Sequence, residues 1–204
     1  MPSTVYPELD KSIELFEIVN AVKLLKRNKA YGDDNLLNEY FIESIDILSP
    51  LLCTMFNNII DSGYFPELWT NGVIIPLHKK GSTTDVNNYR GITLVSCLSK
   101  IFTTVLNKRI ENICEQHNII SDAQFGFRKG RSTADAIFIL MSLVQNFLSV
   151  NKRLYVFFVD MMKCFDSIYR KSLWIKLYKS GIQGKFPRII RDMYSNVKSC
   201  VKHL

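Results

Sequence analysis

The sequence lacks any paired-cysteine signature. Cys53, Cys97, Cys114, Cys164 and Cys200 are scattered, odd in number and without a CxxC spacing. That argues against a disulfide framework and against a zinc site. His78, His117 and His203 have no metal-ligand spacing and read as surface or core residues. Met1 to Lys11 has no apolar signal core. The longest apolar run, Tyr155 to Val159 with its neighbours, is far too short to span a bilayer. Internal repeats and low-complexity tracts are missing too, which excludes solenoids and compositionally driven disorder. The expectation is a soluble, intracellular protein without a membrane partner.

What is present fits a globular chain. Apolar residues make up 47% and charged residues 22% of 204, ordinary usage that allows a sizeable core. The length suits one compact domain or part of a larger one. The net charge of +7 and a pI near 9.1 fit a polyanionic partner such as nucleic acid. They fit a solubilising surface equally well.

Helical and strand patterning alternate. Ile13, Phe16, Val19, Val22 and Leu25 recur near a helical period between about Ser12 and Lys26. Ala30 to Asn35 reads as a turn. A second helical stretch begins near Leu36, with a division expected at Ser49-Pro50, where Ser caps and Pro occupies a first turn. The helix that follows should run to Ile60 and stop at Asp61-Ser62-Gly63. Val73 to Leu77 is β-branched and reads as a strand, its Pro76 pointing to an edge or strand end. Arg90 to Val95 is the returning strand of a hairpin with a long basic tip. Ser96 opens a helix ending near Asn118, with Ile101, Phe102, Val105, Leu106, Ile110 and Ile113 on one face. Ser132 to Asp135 resembles a capping box and opens a helix to about Val150. Leu154 to Val159 is a near-continuous apolar run, expected to be a fully buried strand. Two helices close the pattern, Ser172 to Ser180 and about Pro187 to Asn196.

The chemistry concentrates at the end of that apolar run. Phe157-Phe158-Val159-Asp160-Met161-Met162-Lys163-Cys164-Phe165-Asp166 delivers a carboxylate, Asp160, at a strand terminus. Metal ions are often held at such places, because the strand fixes the ligand and the loop leaves coordination positions open. A single Asp also serves to end a strand or cap a turn. Lys79, Lys80 and Arg90 lie on the hairpin, and Arg128, Lys129 and Arg131 just before a helix start. These cations suit phosphate. They also suit a solvated basic surface.

Asp160 to Asp166 resembles motif A of reverse transcriptases, in which an Asp precedes an aromatic residue and a second Asp. Lys29-Ala30-Tyr31-Gly32-Asp33-Asp34 resembles the family's leading KAPGPDG motif, with Tyr31 replacing Pro and Asp33-Asp34-Asn35 replacing Pro-Asp-Gly. Trp69 through Gly81 is similar to motif 1, and Asn88 to Leu94 to motif 2. Gln124-Phe125-Gly126-Phe127-Arg128 with Arg131-Ser132-Thr133 is similar to the QFGFR…RST segment of non-LTR enzymes. The blocks follow one another in family order over about residues 20 to 180. On them the chain resembles the reverse transcriptase of a non-LTR (LINE-type) retrotransposon.

The resemblance implies an α+β fold, with mainly helical fingers carrying a hairpin and the first part of a right-hand polymerase palm. Residues 1–153 would be fingers and connection, and 154–204 the start of the palm. It implies an RNA-directed DNA polymerase that joins a deoxynucleoside triphosphate to a DNA primer on an RNA template, using two Mg²⁺ ions. Asp160 would hold both ions, helped by the backbone carbonyl of Met161. Phe165 would be the steric gate against a 2′-hydroxyl; its other role is core packing. Arg90 and Lys79, with Lys80 as alternative, would clamp the triphosphate. Gln124, Arg128, Lys129 and Arg131 would contact template or primer. The implied location is cytoplasm and nucleus, as a ribonucleoprotein; no oligomeric state follows.

Cys164 stands where the family usually has Ala. The family's next motifs, a Gly-rich Gln-containing loop and an aromatic-Ala-Asp-Asp turn, do not occur between Gly181 and Leu204. The expectation is therefore a piece of a polymerase that does not catalyse alone. The alternative is an inactive, nucleic-acid-binding relic of such an element.

Overall fold

The computed structural model describes residues 5–162, 164–165 and 167–202. Lys163 and Asp166 of the motif A stretch lie outside the described residues, as does His203. The chain divides into two units. The first comprises Met1–Ile110 with Trp174–Leu204, and the second Glu111–Leu173.

The first unit is built on helices α1 (Leu15–Lys23), α2 (Asn38–Glu43) and α3 (Ile45–Ser62), most of α4 (Cys97–Gln116), and α7 (Lys185–Met193). Its sheet has β1 (Asn71–His78), β2 (Tyr89–Leu94) and β3 (Lys198–Val201) in the order β2-β1-β3. β1 and β2 form the expected antiparallel hairpin, with Val73 opposite Leu94 and Leu77 opposite Arg90. β3 was not legible in the pattern; it runs parallel to β1, pairing Asn71 with Lys198 through Ile74 with Val201. β3 therefore stops short of Pro76. Lys79 N donates to Asn88 O, so Pro76, an odd number of residues away, turns its nitrogen away from β2. The missing donor faces the open side of the sheet, which is how a proline fits a strand with neighbours on both sides.

Aromatic side chains form the core. The Phe56 ring lies 5.2 Å from Phe102 and 6.1 Å from Trp69, and Phe65 lies 5.5 Å from Trp69. These mostly edge-to-face contacts bring α3, α4 and the segment leading into β1 together. Ile18 and Val22 of α1, Ile101 and Val105 of α4, and Phe186 and Ile189 of α7 are buried as well.

Buried polar contacts fix the register of distant segments. Arg109 of α4 donates from Nε and Nη2 to the two carboxylate oxygens of Glu17, both at 2.7 Å, and from Nη2 to the carbonyl of Ser12. Burial pushes the Glu17 carboxyl up, but the Arg109 hydrogen bonds, the Glu14 backbone and the guanidinium charge hold it below its ordinary value. Asp10 accepts from Lys185 N and Phe186 N and so caps α7. Asp192 of α7 accepts from Phe65 N at 2.7 Å.

The turn at Ala30 to Asn35 is set by packing. A Cβ on Gly32 would come within 2.6–2.7 Å of the Val95 and Ser96 backbone, so only glycine lets this turn meet the start of α4. Cys97, at that start, donates to Asn38 Oδ1, and burial pushes its thiol up to about 11.

One expected break is misplaced. The division lies at Ser44, between α2 and α3, and not at Ser49-Pro50. Pro50 sits inside α3 and Ser49 is buried. The proline forfeits a single bond, to the carbonyl of Asp46. Continuing the helix buries Leu52, Phe56, Ile59 and Ile60. α3 does end at Gly63, in the left-handed conformation.

The second unit contains the end of α4, a loop over 117–132, α5 (Thr133–Ser149) and the first residues of α6 (Arg170–Lys179). α5 has the expected capping box: Asp135 N donates to Ser132 Oγ, and Ser132 N to Asp135 Oδ2. The second correction falls here. Leu154 to Val159 is neither a strand nor buried; residues 152–160 have no regular structure, and Phe157 is 90% exposed. A central strand needs hydrogen-bonding neighbours at both edges and cover on both faces. Among the described residues, no strand pairs with this run. The fold is thus mixed helix and small sheet. Among the described residues, no helix is long and apolar enough to cross a membrane.

Candidate functional site

The hairpin carries the first group of candidates. Opposed residues of an antiparallel pair share a face, as do residues two apart along a strand. Leu77 opposes Arg90, and the pairing runs one step further, where Lys79 N donates to Asn88 O at 2.8 Å. Lys79 and Arg90 therefore emerge on one face as diagonal neighbours, roughly 7–8 Å apart at the backbone. Both are exposed. Lys80 follows in the bend beyond the ladder and is also exposed.

The tip between the strands is held by its own polar side chains. Asn88 Nδ2 donates to Ser82 O, Tyr89 Oη to Thr83 O, and Asn87 N to Asp85 Oδ1. The His78 ring meets the Tyr89 ring edge-on at 5.2 Å on the other face, and its Nε2 lies 3.1 Å from Gly81 O. This folded tip presents its lysines at a fixed place. Two cations on one face can bracket one polyphosphate, with Arg offering a fork and Lys a point charge.

The second unit holds the other candidates. Asp160 and Met161 are exposed, in a stretch without regular structure. Phe165 is 72% exposed. Gln124 is exposed and donates from Nε2 to Gly126 O. Lys129 is exposed. Arg131 donates to Asp122 Oδ1 at 2.8 Å and stands over the Phe125 ring at 5.6 Å.

Arg128 differs from the other loop cations in its burial. Only 8% of the residue is exposed. Its Nε and Nη2 donate to the two Glu115 carboxylate oxygens at 2.9 and 2.8 Å, and Nη1 donates to Ser121 O. The Arg128 hydrogen bonds hold the Glu115 carboxyl below its ordinary value. Three of the five guanidinium N–H donors are engaged in these bonds, and through them Arg128 ties the loop to the end of α4.

Sequence reasoning missed what this tie supports. Phe127 adopts a φ of 62° and is 89% exposed. Its ring lies 5.9 Å from Phe165, at 87° between planes. Nothing in the local pattern marks an aromatic residue for the left-handed region, so the contact was not legible. Among the described residues, no group of three or more His, Cys, Asp or Glu side chains is placed to hold a metal ion.

The profile of the reverse transcriptase (RNA-dependent DNA polymerase) family matches residues 77–203. The chain is 31% identical over 171 residues to the probable RNA-directed DNA polymerase from transposon BS of Drosophila melanogaster, covering 83% of this chain and 19% of that protein. It is 30% identical over 170 residues to the RNA-directed DNA polymerase from mobile element jockey of the same fly, covering 83% and 18%. A third relative, the probable RNA-directed DNA polymerase from transposon X-element, is 29% identical over 175 residues, covering 83% and 19%. The chain spans about a fifth of the length of these curated relatives.

Proposed function

This chain belongs to the reverse transcriptase (RNA-dependent DNA polymerase) family, of the non-LTR retrotransposon kind, and from that premise we propose that it supplies the nucleotide-holding part of an RNA-directed DNA polymerase. The observation that carries the reading is the hairpin register, which sets Lys79 and Arg90 on one face at the start of the family match. In this reading they grip the triphosphate of an incoming deoxynucleotide, with Lys80 as a second point charge. Residues 1–153 are fingers and connection, and residues 154–204 begin the palm of a right-hand polymerase.

Asp160 and the Met161 carbonyl are hard oxygen donors of the kind Mg²⁺ takes. They fit part of a two-ion site. Bound Mg²⁺ would stabilise the charge that develops on the phosphoryl group as the primer 3′-hydroxyl attacks. The work of this chain is to bind and orient. Phe165 stands beneath the sugar and rejects a 2′-hydroxyl. Gln124, Lys129 and Arg131 contact the RNA template and DNA primer, and Arg128 holds their loop in shape.

Titration of the 204-residue chain with a deoxynucleoside triphosphate in Mg²⁺ tests the clamp. Lys79→Ala and Arg90→Ala should each weaken binding about ten-fold, the worth of a charge-assisted hydrogen bond. Unchanged affinity in the double variant, with nucleic acid still bound, would favour the inactive binding relic instead.

A further inference from the structure

We propose that Phe127 is a positioning residue for the sugar gate: its ring buttresses Phe165 edge-on and so sets how strongly the site rejects a ribonucleotide. The inference rests on the reading of Phe165 as that gate.

The loop that carries Phe127 is held from several sides. Arg128 is locked to Glu115 and to the Ser121 carbonyl. Gln124 N donates to Ser121 O, and Arg131 N to Arg128 O. Arg131 is tied to Asp122 and stands over Phe125. Between Ser121 and Arg131, where these ties lie, Phe127 is the one non-glycine residue with a positive φ, 62°. L residues other than Asn and Asp rarely adopt that conformation, and where surrounding bonds impose it the usual reason is functional.

Burial does not explain the conformation. The Phe127 ring is 89% exposed, and a Cβ added at Gly126 or Gly130 would meet nothing within 4 Å. The backbone turns the ring outward, and the ring it meets is Phe165, edge-on at 5.9 Å.

Phe165 needs such a partner. It is 72% exposed, so no core grips it. A gate works by refusing to yield when a 2′-hydroxyl presses on it, and a ring free about its side-chain torsions yields. One edge-to-face aromatic contact biases a ring's position by about two- to ten-fold. The rigid loop transmits its fixed position to the gate through that contact.

The experiment uses the full-length protein on a primed RNA template and reads the ratio of kcat/KM for a deoxynucleotide to that for the matching ribonucleotide. Phe127→Leu should lower the ratio by about two- to ten-fold, mainly through a smaller ribonucleotide KM, while Phe127→Tyr should restore it. Because Phe127 is exposed, both variants should melt with the parent. In the 204-residue chain carrying 4-fluorophenylalanine, the Phe165 fluorine resonance should shift in Phe127→Leu, as the neighbouring ring current is removed. An active parent whose ratio does not move in Phe127→Leu overturns this inference alone. A parent that incorporates no nucleotide overturns the polymerase reading, and this inference with it.

Discussion

Phe102 in the first unit is fully buried, whereas Phe157 in the second exposes 90% of its surface. The contrast extends to their surroundings. α3 buries Leu52, Phe56, Ile59 and Ile60, while α5, also rich in Ile, Leu, Phe and Met, buries none of its residues. Both helices form, and each carries its expected terminus: Gly63 after α3 and the Ser132–Asp135 capping box before α5. Local chemistry therefore sets elements in both units, but burial requires partners distant in sequence. The first unit supplies them to itself, through Trp69, Phe102 and Phe186. The second unit leaves its run from Tyr155 to Val159 exposed, as it does Phe138 and Leu148 of α5.

The largest effect should separate the two units directly. Phe102→Ala should destabilise the chain by about 3–5 kcal/mol in urea unfolding, by lost transfer energy and a residual cavity. Phe157→Ala should change it by less than about 0.5 kcal/mol. Comparable losses at the two positions would erase the contrast.

A smaller effect probes the polar pinning of the first unit. Glu17→Gln should cost about 1.5–3 kcal/mol, because Arg109 loses charge-assisted partners. The Glu17 carboxyl is held below its ordinary 4.5 in the folded unit. The stabilisation is therefore fully present above that value and is lost as the pH falls through the lower folded value. Urea midpoints measured at pH 7 and at about pH 3 should fall further in the parent than in Glu17→Gln. Parallel losses would show that Arg109 and Glu17 are not coupled.

The smallest effect lies in the second unit. Ser132→Ala removes the α5 cap and should cost about 1 kcal/mol locally, seen as faster amide exchange over the first turn of α5. Equal protection with and without the hydroxyl would remove the cap from the account.

What could be read from the sequence follows the same division. The β1–β2 hairpin, α4 with its buried face, the Gly63 stop and the α5 cap rest on residues a few positions apart. β3 could not be read, because Lys198 to Val201 has no strand pattern of its own and owes its conformation to β1, more than a hundred residues earlier. The Asp10 cap on α7, the Asp192 contact with Phe65 and the Arg109–Glu17 pair are likewise long-range. The Leu154 to Val159 run shows the converse: a strong local signal for a buried strand, with no partner among the described residues to make it one. In the candidate site, the sequence placed Lys79 and Arg90 on a hairpin, and the register put them on one face. It did not show that Arg128 pairs with Glu115, because Glu115 belongs to the preceding helix and nothing in the spacing announces the pair.

In the proposed function, Asp160 and the hairpin cations serve nucleotide addition on an RNA template. Single-nucleotide primer extension by the full-length protein, beside its Asp160→Ala variant, tests it most directly. Loss of a group that stabilises transition-state charge typically costs on the order of a hundred- to a thousand-fold in rate. The parent should extend the primer and the variant should lose activity by that factor; extension at the parent rate after Asp160→Ala would rule out this role for the carboxylate.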